Sequence, residues 1–154
     1  MNQAKEAFLK NEFIPLMRRL QPDTQVKWGV MNAQQMTEHF AETVRMANGR
    51  LVLPFNTNEE DLPKMRAFML SEKPFRENTK NPIMSDVPEP AKKETLAAAI
   101  DELEEEMNDF FKIFSNDPDR LSVNPIFGNL SYKENIHLLH KHAIHHLKQF
   151  GLID

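Results

Sequence analysis

Apolar residues recur at intervals of three and four along four stretches of the chain, the spacing that gathers them on one face of an α-helix. In residues 4–20 they are Phe8, Leu9, Phe13, Leu16, Met17 and Leu20. Pro15 inside this stretch predicts a bend or the start of a second helix, and Gln21-Pro22-Asp23 ends it. The second stretch carries Met36, Phe40, Val44 and Ala47. Asn32 followed by Gln35 predicts a capping box at its start, and Asn48-Gly49 predicts its stop. In residues 91–115 the stripe is Leu96, Ile100, Leu103, Met107, Phe110, Phe111 and Phe114, closed by Asn116-Asp117-Pro118. The acidic run 101–106 falls mostly on its polar face. The last stretch opens on Ser131-Tyr132-Lys133-Glu134, a capping box of the S-x-x-E form, and Gly151 ends it. Its buried stripe is Leu139, Ala143, Leu147 and Phe150.

Between the second and third stretches the pattern breaks down. Six of the ten prolines (Pro54, Pro63, Pro74, Pro82, Pro88, Pro90) lie in residues 50–90, which predicts loops around one short helix near 59–71. A long excursion of this kind often forms a lid or pocket wall, and equally serves as packing across a bundle end. Four principal helices, little strand signal and no internal repeat predict an all-α four-helix bundle, with residues 1–154 as a single domain.

Composition narrows the function classes. The apolar fraction is 40% and the charged fraction 27%, the balance of a soluble globular chain. A net charge of −4 argues against a broad basic surface for nucleic acid or anionic lipid. No apolar run approaches the roughly 18 residues of a membrane span, and the N-terminal residues lack an apolar signal core, so a cytoplasmic setting is expected. Cysteine is absent, which excludes disulfides, thiolate metal sites and a cysteine nucleophile. A metal must be held by His, Asp or Glu, and a reacting thiol must come with the substrate.

The histidines are the candidate chemistry. Five of the six lie between His137 and His146. His142 and His146 are four apart, about 400° of helical rotation, so they share a face one turn apart and suit a single metal ion. A third ligand must come from elsewhere, and His39, at the margin of the second stripe beside Met36 and Thr43, is the remaining histidine. His145 points about 60° away from His142 on the side opposite His146. A histidine on an apolar stripe is also commonly a hydrogen-bonded core residue, and histidines in a last turn complement the helix dipole. The residues alone leave both readings open. Glu134-Asn135-Ile136-His137 matches the E-x-x-H of di-iron bundles once, with no second copy, and H-E-x-x-H, G-x-S-x-G and phosphate-binding glycine loops are missing.

Two segments carry a family resemblance. Residues 28–39 (Trp-Gly-Val-Met-Asn-Ala-Gln-Gln-Met-Thr-Glu-His) with Met46-Ala47-Asn48-Gly49 resemble the first metal-ligand helix of the DinB/YfiT-like superfamily. Asn124-Pro125-Ile126-Phe127-Gly128, Leu130-Ser131-Tyr132 and the run from His142 through His145, His146 and Gln149 to Gly151 resemble its last helix. More narrowly the chain resembles a branch of that superfamily described as a domain of unknown function. The resemblance extends over nearly the whole chain and is specific at these two ends. It implies a four-helix bundle with one divalent metal near one end, held by His39, His142 and His146. His145 and Gln149 are then candidates to support the ligands from behind.

Three imidazoles leave a divalent ion with open positions, as in catalytic zinc sites; zinc or nickel are the first expectation, with iron and manganese compatible. The resemblance implies a small-molecule substrate and either a low-molecular-weight-thiol-dependent S-transferase or a hydrolase. The competing class is a non-enzymatic metal-binding bundle that mediates a partner contact or a homodimer. Glu38 and Glu42, about 100° and 60° off the face of His39, read as solvated residues rather than an acid–base partner. Arg45, Arg50, Lys73, Arg76 and Lys80 are candidates for an anionic-substrate rim, or simply scattered surface cations. Trp28 reads as a core residue or a plug at the bundle end.

Overall fold

The computed structural model describes residues 2–77 and 87–154. Lys80 and Pro82 therefore lie outside the described residues. The chain is mostly helical, 55% helix with six helices among the described residues, and the all-α expectation holds. The first arm is two helices, α1 (Asn2–Asn11) and α2 (Phe13–Met17), parted at Glu12 so that Pro15 lies within the first turn of α2. There its missing N–H leaves no helical bond unmade.

Helix α3 (Ala33–Asn48) has the ends that its sequence prescribes. The Asn32 side chain accepts from Gln35 N, the Gln35 side chain accepts from Asn32 N, and Gly49 closes the helix at φ +85°. Helix α4 (Leu62–Leu70) starts with Pro63 in its first turn. Helix α5 (Leu96–Asn116) begins five residues later than its apolar pattern suggested. Thr95 caps it through Ala98 N, while the preceding amides of Lys92 and Lys93 donate to the Glu38 carboxylate. Glu38 is thus a tether for the chain entering α5 rather than a freely solvated charge. Helix α6 (Tyr132–Gln149) carries the Ser131/Glu134 capping box.

One element was not expected. Ser122–Asn124 (β1) and Gly128–Leu130 (β2) form a short antiparallel hairpin, with Asn124 Oδ1 accepting from Ile126 N and Phe127 N in its turn. Three-residue strands are too short for alternation to reveal.

Helix α3 lies along α5, and α1 lies along α6. Between them Phe13, Met36, Phe40, Leu103, Met107, Phe110, Leu139 and Leu147 form the main core, all nearly inaccessible to solvent. Met69, Phe127, Leu130 and Leu138 form a second cluster beneath α4 and the hairpin. Arg66 of α4 joins the two by donating to the carbonyls of Phe127 and Asn129 and pairing with Glu134. The acidic face of α5 is less solvated than its sequence suggests, because Glu106 is buried and bonded to Asn48 and Arg45. No helix among the described residues is long and apolar enough to cross a membrane.

Candidate metal centre

The stripe of α3 turns Met36, Phe40 and Val44 into the main core, and His39 beside them is carried to its edge. On α6, Leu139, Ala143 and Leu147 hold the opposite wall, so His142 and His146 emerge one turn apart toward α3. One ligand atom from each of His39, His142 and His146 lies within 4.8 Å of the other two. The imidazole centroid of His39 is 5.3 Å from that of His142 and 5.5 Å from that of His146. The two α6 rings are 4.5 Å apart, and their Nε2 atoms face each other at 2.7 Å. His146 is buried, and His39 and His142 are half-buried.

The tautomer of His146 follows from its neighbours. Gln149 Nε2 donates to the Trp28 carbonyl at 3.0 Å, which leaves Oε1 as the acceptor toward His146. His146 Nδ1 is 2.6 Å from that oxygen and must carry the proton. Its Nε2 is then a bare lone pair directed at the cluster, as a metal ligand requires. Without a cation, His142 Nε2–H donates to it.

Burial makes all three imidazoles poor bases. It pushes His39 down to about 4, and holds His142 and His146 well below the ordinary histidine range; His145 adds to all three shifts, and the neighbouring cluster histidines add to those of His142 and His146. Neutral, convergent and close, the three nitrogens match the donor set of a divalent transition metal. Comparison with family models, curated proteins and solved structures finds no match to this chain.

The remaining candidates sort by contact. His145 turns from the cluster: its ring meets Trp28 at 5.6 Å and Phe75 at 5.9 Å. Gln149, buried, is the support of His146. Trp28 is half-buried against His145, and its Nε1 is a buried donor without a partner among the described residues. Two of the five cations considered for an anionic-substrate rim are engaged elsewhere. Arg45 pairs with Glu102 and Glu106, and Arg50 with Glu106 and Asp109, because the acidic face of α5 lies beside them. Glu42 has no bond to the cluster. A shallow depression lined by Pro22, Val26 and Met31 contains none of the three histidines.

Sequence reasoning passed over Lys141 and weighed His137 only as a lone E-x-x-H match, yet both are buried on α6. The intervals of four from His137 to Lys141 and from Lys141 to His145 were the available signal.

Proposed function

We propose that this chain is a metal-binding four-helix bundle of the DinB/YfiT-like type, in which His39, His142 and His146 hold one divalent ion. We further propose that it acts on a small molecule as a metal-dependent enzyme, either an S-transferase supplied with a low-molecular-weight thiol or a hydrolase. The observation that carries this reading is the convergence of three neutral imidazole nitrogens within 4.8 Å, one of them locked in the ligating tautomer by Gln149. The four helical arms α1/α2, α3, α5 and α6 support the bundle type, and the segments resembling the superfamily supply α3 and α6. Zinc or nickel suits the all-nitrogen set best, with iron or manganese compatible.

When bound, such an ion lowers the pKa of a coordinated water or thiol. The chain's own part is to orient His146 through Gln149, to keep the imidazoles unprotonated by burial, and to flank His142 with Phe40 and Phe75. Lacking cysteine, it must receive any reacting thiol from outside.

A second reading has its own support: Glu38, the carboxylate adjacent in sequence to His39, is committed to the amides of Lys92 and Lys93, which leaves it unfit as an acid–base partner. On that reading the bundle binds metal, or none, and serves as a contact or dimerisation module.

Elemental analysis separates these outcomes. About one divalent ion per chain is expected after incubation with zinc, nickel or manganese, and it should be lost in His142→Ala or His146→Ala. Protein that stays metal-free throughout overturns the site. If the metal-free chain remains folded, a catalytic role gains over a structural one. Screening electrophiles with different low-molecular-weight thiols then tests transfer against hydrolysis, and inactivity in both favours the contact module.

A further inference from the structure

Along α6 a second polar series, His137, Lys141 and His145, repeats at intervals of four and so shares one face. Each member meets the segment that ends α4. His137 Nε2 is 2.9 Å from the Ser71 carbonyl. Lys141 Nζ donates to the carbonyls of Phe68 and Ser71, each at 2.9 Å, and to that of Lys73. The His145 ring stands edge-to-face with that of Phe75, centroids 5.9 Å apart. Since a carbonyl can only accept, His137 and Lys141 act as donors, and with the His145 ring they form a rail along residues 71–75. The ammonium of Lys141 also faces the C-terminal end of α4, where the helix dipole favours a cation. Lys5 braces the far side, donating to His137 Nδ1 at 3.2 Å and to both Glu72 carboxylate oxygens at 2.7 Å.

The rail delivers one side chain to the histidine cluster. Phe75 stands edge-on to His142, with ring centroids 6.1 Å apart. Phe40 also packs on His142, at 4.8 Å, but it is fully buried and forms a floor. Phe75, by contrast, is only half-buried, as are His39 and His142. Phe68, 5.7 Å behind it, backs the ring.

The geometry points to Phe75 as a specificity-determining residue, an aromatic wall set by His137, Lys141 and His145 that favours ligands carrying an apolar ring beside their metal-binding atom. This rests on the three-histidine metal reading. His137, Lys141 and His145 are positioning residues: they reach the site through the segment they hold.

Cobalt(II)-loaded full-length chain, followed by visible absorption, can be titrated with imidazole and with 4-phenylimidazole, two probes that differ by one ring. Wild type is expected to prefer the phenyl compound by about five-fold, the scale of one edge-on aromatic contact. Phe75→Ala should erase that preference while cobalt stoichiometry and imidazole affinity hold. Phe75→Leu, which keeps the small apolar cluster filled, should reduce it. In the metal-free chain, Lys141→Met should speed amide hydrogen exchange at residues 71–77, a readout that needs no metal. A preference unchanged in Phe75→Ala, or exchange unchanged in Lys141→Met, overturns this proposal alone. Failure of wild type to take up cobalt overturns the metal reading and the wall with it.

Discussion

The Gln149 side chain stands between the backbone of Trp28 and the ring of His146, giving its N–H to one at 3.0 Å and its carbonyl oxygen to the other at 2.6 Å. A glutamine amide has one donor end and one acceptor end, so the first bond decides the second. The loop before α3 thereby sets the tautomer of a histidine on α6.

Replacing Gln149 by Leu removes that control and leaves the ring free to rotate or to protonate at Nε2. Losing an outer partner of a metal-bound histidine typically costs about 10–100-fold in metal affinity. Gln149→Leu should show a loss in that range by competition with a coloured chelator, with the far-UV circular dichroism of wild type. Unchanged affinity would mean that Gln149 only packs.

Gly29 probes the same link from the loop side. Its φ is +87°, and an added Cβ would sit 2.9 Å from Gln149 Nε2. Gly29→Ala therefore meets both backbone strain, about 1 kcal/mol, and a side chain that must move. A lowered urea midpoint together with weaker metal binding is expected. Loss of stability with metal affinity intact would separate the loop from the site.

Much of this was readable in advance, and the reason is local. Asn32/Gln35 and Ser131/Glu134 write the starts of α3 and α6 into four residues each, and helical rotation alone places His142 and His146 on one face. What stayed hidden depends on chain segments meeting far apart in sequence. The pairing of β1 with β2, the burial of Glu106 by Asn48, and the bonds of Lys141 to carbonyls some seventy residues earlier leave no periodic trace. Lys141 is the plainest case: a lysine on a helix reads as solvated, and its burial needs the C-terminal end of α4 to receive it.

Burial of the histidines also has a pH signature in the metal-free chain. In the unfolded chain each imidazole titrates near 6.5, whereas in the fold His39 titrates near 4, and His142 and His146 well below 6.5. Below 6.5 the unfolded state therefore binds more protons than the folded one, and acid favours unfolding. Stability is kept above about pH 6.5 and falls as the pH drops toward 4, by at most about 1.4 kcal/mol per pH unit for each histidine. Urea unfolding at pH 7, 6 and 5 should show the decline. His39→Gln should make it shallower over this window; an equally steep decline in that variant would contradict the burial of His39.

The last prediction concerns the charged contact between α3 and α5. Glu106 is 6% exposed and Asn48 1% exposed. Asn48 Nδ2 donates to the Glu106 carboxylate at 3.0 Å, and Arg45 Nη1 approaches it at 3.2 Å. Glu106→Ala leaves the Asn48 amide without its side-chain acceptor and removes one of the two carboxylates that hold Arg45, the other being Glu102. A buried polar group stripped of its partner costs about 1–3 kcal/mol, and Arg45, only half-buried, regains part of its loss from water. Glu106→Ala should therefore lower stability by about 2 kcal/mol in urea unfolding. Glu106→Gln keeps an acceptor for Asn48 and should cost less than half as much. Because this contact lies on the α5 side of α3, both variants should retain full metal stoichiometry; loss of metal in Glu106→Gln would show that α3 brings His39 to His142 and His146 only when braced against α5.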